Sequence, residues 1–282
     1  LSTSVPRKPI DAEEITLATH ITTRIEDSVA WLLLDGADRV NAIGSQTYNE
    51  LAAAIRELEQ QNSVRAVVVH GAGRAFSAGA DIEEMRSFAG RSEFEAFLHG
   101  FTDALDVVAS SRLPVIAAIH GSALGGGLEL ALACDLRVAT PDARLGLPEA
   151  KLGLLPGAGG TQPLPRLIPV GVATELLMLG NFIDGERAHA LGLVNRLCAA
   201  DELLATAGAL AQQFSGGASQ VVIAAKALLQ RTADLPIHDG IEHEREVVAG
   251  LFATPDGREG FAAFVERRAP NFGTSDVSAS TP

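Results

Sequence analysis

The chain has 282 residues, is 47% hydrophobic and 20% charged, and holds 28 glycines; that is the profile of a folded protein with room for one large domain or a core plus a subdomain. A formal net charge of -13 excludes a nucleic-acid binder, because no stretch concentrates the Lys and Arg that neutralising phosphates requires, and an anionic ligand would need a local basic pocket. Cys134 and Cys198 lie far apart in apolar surroundings, so they read as buried reduced thiols rather than a disulfide or metal framework, and a reducing cytoplasm is expected.

Residues 1–20 carry acidic Asp11, Glu13 and Glu14 and no apolar run, which predicts a flexible arm and neither a signal peptide nor a mitochondrial presequence. Residues 29–34 read as a strand, and residues 46–59 as a helix with Tyr48, Leu51, Ala52, Ile55 and Leu58 on one face. The β-branched run 64–70 ends at Gly71, and residues 113–120 repeat that pattern, so two buried strands each deliver a glycine loop. Residues 114–128 are the most membrane-like stretch, yet they contain His120 and four glycines and stop at Glu129, too short to span a bilayer. Next come an apolar helix over 128–134, a strand over 136–139, a Pro141-Asp142 turn and a short strand at Arg144-Leu145. Beyond residue 200 the pattern is helical only, over 202–214, 219–231, 237–252 and 257–268. The expected organisation is an α/β core over 21–200 that carries the active site, a helical region over 201–272 and a disordered tail over 273–282.

Familiar nucleotide and nucleophile motifs fail. Phe76 stands where a dinucleotide fingerprint beginning at Gly71 needs its third glycine, and no loop ends in Gly-Lys-Ser/Thr. Ser122 lacks the Gly-x-Ser-x-Gly elbow, so His120, Gly121 and Ser122 read as turn residues. Gly125, Gly126 and Gly127 precede an apolar helix; bare glycines at a helix N-terminus open backbone N–H groups to a developing anion, although tight packing against a strand would also select them. Glu129 is the only Asp, Glu, Lys or Arg between Arg112 and Asp135. A buried carboxylate there needs a partner, and spacing leaves open whether its cause is function, the helix dipole or a core arginine. Glu149, after Pro148, reads by itself as an exposed loop carboxylate.

Residues 73–82, Gly-Arg-Ala-Phe-Ser-Ala-Gly-Ala-Asp-Ile, and 120–129, His-Gly-Ser-Ala-Leu-Gly-Gly-Gly-Leu-Glu, resemble the crotonase (enoyl-CoA hydratase/isomerase) superfamily. Cys134-Asp135-Leu136-Arg137, Pro148-Glu149, the 156–162 loop, residues 188–194 and Phe264 to Arg268 extend the resemblance in order, over roughly residues 25–272. It implies an α/β spiral of ββα units, with C-terminal helices that form a trimer, commonly paired into a hexamer. It further implies an oxyanion hole made by the N–H groups of Ala78 and Gly126, and an acyl thioester lined by Ala78, Gly79, Ala80, Asp81, Ile82, Gly125, Gly126 and Gly157. Glutamates at both 129 and 149 resemble the true hydratases, which add water syn across a 2-enoyl-CoA in fatty acid β-oxidation. No metal or redox cofactor is implied, coenzyme A being part of the substrate, and no membrane or nucleic-acid partner. The rival readings are isomerisation or hydrolysis at the same site, and a non-catalytic acyl-CoA binder. The chain departs from the family at Asp35 to Val40, where Arg-Pro and often Lys are usual and hold CoA phosphates, and at Pro163, where Arg is frequent after Gln162.

Overall fold

A computed structural model describes residues 18–217, 219–231 and 235–273. The arm expected over 1–20, apart from residues 18–20, and the tail expected over 273–282, apart from Gly273, lie outside the described residues.

Strands β1 (His20–Glu26) and β2 (Val29–Asp35) form a hairpin. Its two turn residues, Asp27 and Ser28, both have positive φ (47° and 66°), as a two-residue turn matched to strand twist demands. The chain continues through α1 (Ser45–Glu59), β3 (Ala66–Gly71), α2 (Ile82–Ser87), α3 (Arg91–Ser110), β4 (Val115–Ile119), β5 (Ser122–Leu124), α4 (Gly126–Ala133), β6 (Leu136–Ala139) and β7 (Arg144–Gly146). Then follow α5 (Leu164–Leu167), α6 (Val170–Leu179), β8 (Phe182–Asp184), α7 (Gly185–Ala190), β9 (Arg196–Leu197) and α8 (Leu203–Gln212). Helices α9 (Ser219–Arg231), α10 (Ile237–Ala253) and α11 (Pro255–Glu266) complete it.

Six strands form one sheet in the order β1-β2-β3-β4-β6-β9, parallel except for the β1–β2 hairpin. A smaller sheet, β5-β7-β8, stands beside it. The larger sheet is covered on both faces. Val67, Val69, Val115 and Ala117 face the main core with α1 and α3, whereas Ala66, Val68, Ile116 and Ala118 pack under Leu203, Ala207 and Leu210 of α8. Burial on both faces is why β3 and β4 read as unbroken apolar runs. Where β4 gives way to β5 the chain turns at Gly121 (φ 60°), whose missing Cβ leaves room for the Arg74 carbonyl. That turn carries the backbone from the large sheet into the small one, beside which the site forms.

Cys134 is buried, its thiol pushed up to about 12 by desolvation, while Cys198 is only half-buried, a correction to its expected burial; both are free. No helix among the described residues is long and apolar enough to cross a membrane.

Candidate active site

Beyond β3, Asn41 organises the turn. Its side-chain amide donates to the carbonyls of Ala72 (2.9 Å), Ala75 (2.8 Å) and Phe76 (3.2 Å), and its Oδ1 accepts the Gly36 N–H (3.0 Å). Ser77 Oγ donates to the Asn41 carbonyl (2.7 Å) and accepts the Gly79 N–H (3.2 Å). The segment after Phe76 is thereby held extended, bridging to Ala123 through Ser77 and to Ile43 through Ala80.

The bridge to Ile43 decides which amides are free. The Ala78 N–H donates to the Val40 carbonyl (2.9 Å), which takes it out of the expected oxyanion role. The Ile43 N–H donates to Gly79 O (2.8 Å) and the Asp81 N–H to Ile43 O (2.9 Å). In a parallel bridge the residue between those two bonds turns its own N–H to the opposite side, and the Ala80 N–H has no acceptor among the described residues. Gly126, the first residue of α4, also carries an N–H without an acceptor, as the first turn of a helix must. A Cβ placed on Gly126 would lie 3.3 Å from the Ala80 nitrogen, so the two open donors flank one small space with the α4 dipole behind it. The oxyanion role expected of Ala78 came from the family resemblance; Ala78 and Ala80 differ in bridge register, which residue type does not reveal.

Asp81 also departs from expectation. Its carboxylate caps α2, accepting from Glu83 N (3.0 Å) and Glu84 N (3.3 Å), and pairs with Arg39 (2.7 Å), so it does not line the cavity. Arg39, the one base in the atypical 35–40 segment, is engaged by that pair.

Glu129 sits in the first turn of α4, 4% exposed. One oxygen, Oε1, accepts the N–H groups of Ala158 (2.8 Å) and Gly160 (2.9 Å). Burial raises its pKa and those two donors pull it part of the way back. The partner that burial required is therefore a glycine loop, neither an arginine nor the dipole alone. Glu149 lies in the first turn of a short 3-10 helix, Pro148–Leu152. It is half-buried, its Oε2 has no hydrogen-bond partner among the described residues, and desolvation, reinforced by the charge of Glu129, lifts its pKa to about 7. Gly125 N donates to Gly146 O (2.9 Å), which ties the start of α4 to β7, and a Cβ on Gly125 would come within 2.9 Å of Glu149 Oε1. That approach, together with φ 51°, is why position 125 holds glycine.

Both carboxylates and the two open amides meet in one cavity of about 610 Å³ including its mouth. Of the residues named for the substrate, Ala78, Gly79, Ala80, Ile82, Gly125, Gly126 and Gly157 line it. Sequence reasoning missed the facing wall, formed by Phe94, Phe97, Leu98 and Phe101 of α3 with Met85, although the apolar spacing along 94–108 carried the signal.

A carboxylate pair set against two backbone donors without acceptors among the described residues, inside an apolar cleft of an α/β core, has the chemistry that proton transfer at a carbon next to a carbonyl requires. The family model for enoyl-CoA hydratase/isomerase matches residues 24–275, and the chain belongs to that family. It is 41% identical over 252 residues to a probable enoyl-CoA hydratase of Mycobacterium leprae, covering 86% of this chain and 97% of that protein. It is 39% identical over 252 residues to the mitochondrial enoyl-CoA hydratase domain-containing protein 2 of Homo sapiens, covering 88% and 86%. The crystal structure of an enoyl-CoA hydratase subunit of Geobacillus kaustophilus superposes with a TM-score of 0.87 at 38% identity, covering 92% of this chain and 99% of that one. Mixed α/β architecture with C-terminal helices is common to both.

Proposed function

We propose that the protein is an enoyl-CoA hydratase that adds water to a 2-enoyl thioester to give the 3-hydroxyacyl product. The observation that carries this reading is the convergence of Glu129 and Glu149 on one cavity beside the open N–H groups of Ala80 and Gly126. The thioester oxygen accepts from those two amides, which stabilise the enolate that forms when oxygen attacks C3. In this assignment Ala80 replaces Ala78 as the first donor.

The two carboxylates divide the proton work by environment. Glu129, with Oε1 held by two N–H groups, is favoured as the anion and takes a proton from the attacking water. Glu149, with its pKa near 7 and an unpartnered Oε2, holds the proton delivered to C2. A Gly157 N–H helps place the water. The chain, its thioester and one water take part, and the proposal calls for no resident cofactor.

Incubation with crotonyl-CoA should bleach the conjugated enoyl absorbance, and Glu129→Gln and Glu149→Gln should each slow it at least about 100-fold. A wild-type protein inert toward enoyl-CoA of every chain length, or variants that stay fully active, would refute the reading.

The same proposal places the protein in fatty acid β-oxidation, in the cytoplasm, and in a trimer or a hexamer of paired trimers. Oligomerisation is supported by the helical C-terminal part. Helix α10 buries none of its described residues within the protomer, and Phe252, Phe261, Phe264 and Val265 are exposed, a run of apolar surface that a lone soluble chain rarely leaves open.

A further inference from the structure

We propose that Leu98 sets the length of acyl chain the site accepts, so that the enzyme works on short 2-enoyl thioesters; the proposal rests on the hydratase reading above. With the carbonyl at Ala80 and Gly126, the reacting carbons lie against the two carboxylates. The loop whose N–H groups hold Glu129, residues 157–160, then borders the space into which the rest of the acyl chain must run. Helix α3 closes that space from the other side.

Its wall has one rigid part and one yielding part. Phe97 and Phe101 are 3% and 2% exposed and are braced by Tyr48, which stacks on Phe101 (centroids 5.9 Å, 13°) and meets Phe97 edge-on (5.7 Å, 64°). Phe101 Cε1 lies 2.7 Å from where a Gly126 Cβ would stand. In a close-packed interior these rings have nowhere to retreat. Leu98 lies outside the aromatic stack, is half-buried, and lines the cavity. Its Cδ2 is 2.5 Å from the position of a Cβ on Gly157, so its branched end presses on the bare Cα of that glycine. Leu98 thus fills the gap between α3 and the loop, and trimming it lengthens the cavity without dismantling the core.

The test compares kcat/KM for crotonyl-CoA and trans-2-decenoyl-CoA in wild type and Leu98→Ala. Wild type should prefer the crotonyl ester, and Leu98→Ala should raise the decenoyl-to-crotonyl ratio about tenfold or more, the discrimination a few methylenes provide in an apolar pocket. Because both rates come from one sample, the ratio does not depend on how much of the variant folds. A second arm uses Gly157→Ala, whose Cβ collides with Leu98; crotonyl-CoA hydration should fall, and Leu98→Ala in the same chain should restore part of it. The proposal is overturned by a wild type that prefers the long ester, by an unchanged ratio, or by a double variant no better than Gly157→Ala. Wild type that hydrates no ester at all would refute the hydratase reading instead.

Discussion

Glu149 changes its charge state near neutrality, because burial and the neighbouring Glu129 lift its pKa from the ordinary 4.5 to about 7. As the proton donor to C2 it must be protonated, so kcat/KM for hydration should decline above about pH 7, approaching tenfold per pH unit. Glu129→Gln removes a negative charge that helps hold the proton on, so its residual activity should decline from a lower pH. Stability follows the same proton. The folded chain binds it more tightly than the unfolded chain, so this contribution is complete below about pH 4.5 and is lost as pH rises through about 7. Denaturant midpoints across that range measure it, alongside Glu149→Gln, which should flatten this component. Gly126→Ala tests the amide pair: its Cβ would lie 3.3 Å from Ala80 N and 2.7 Å from Phe101, occupying the space the carbonyl oxygen needs. Loss of about 100-fold or more in kcat/KM is expected.

At the scale of elements, two acidic side chains hold the segment that presents Ala80. Asp81 caps α2 and pairs with Arg39, and Glu84 accepts the Ser45 N–H (2.8 Å) at the start of α1, where Gly44 offers no capping side chain. Arg39→Ala should lower stability in urea titrations by about 2 kcal/mol and reduce kcat more than it raises KM, with Arg39→Lys recovering part of both. The strands and helices legible in the sequence were those whose burial imposes a period. β3 and β4 are dry on both faces, and α1 shows one apolar stripe. β1 was not legible because nearly all of it is exposed and it is defined by pairing with β2 alone. β5, β8 and β9, of two or three residues, are too short to hold any pattern. For the site, Glu129 stood out through its isolation in an apolar run, whereas Glu149 acquired a meaning only through the family resemblance. Its approach to Glu129 depends on β5 lying parallel to β7, a long-range pairing that no local window contains.

Across the whole molecule, the C-terminal helices are joined to the core by a partly buried ion pair. Lys226 of α9, 9% exposed, donates to Asp135 (2.8 Å) and to the carbonyl of Leu113 (3.0 Å), while Asp135 also accepts the Val115 N–H (2.7 Å) at the start of β4. Lys226→Met leaves Asp135 without its counter-charge and should cost about 3 kcal/mol in denaturant unfolding. If α10 and α11 form the surface between protomers, Phe264→Glu, at a residue 84% exposed, should leave the protomer folded and shift it to smaller species in sedimentation.

The bridge between Ile43 and Ala80 also sets a clock on individual amides. Ala78 is already bonded to Val40, so its hydrogen should exchange with deuterated solvent slowly whether or not a thioester is present. The Ala80 and Gly126 hydrogens, with no acceptor among the described residues, should exchange quickly in the free protein and slow together when a non-reactive acyl-CoA is added. Ala78 and Ala80, two residues apart and indistinguishable by their chemistry, would thus be told apart by time alone.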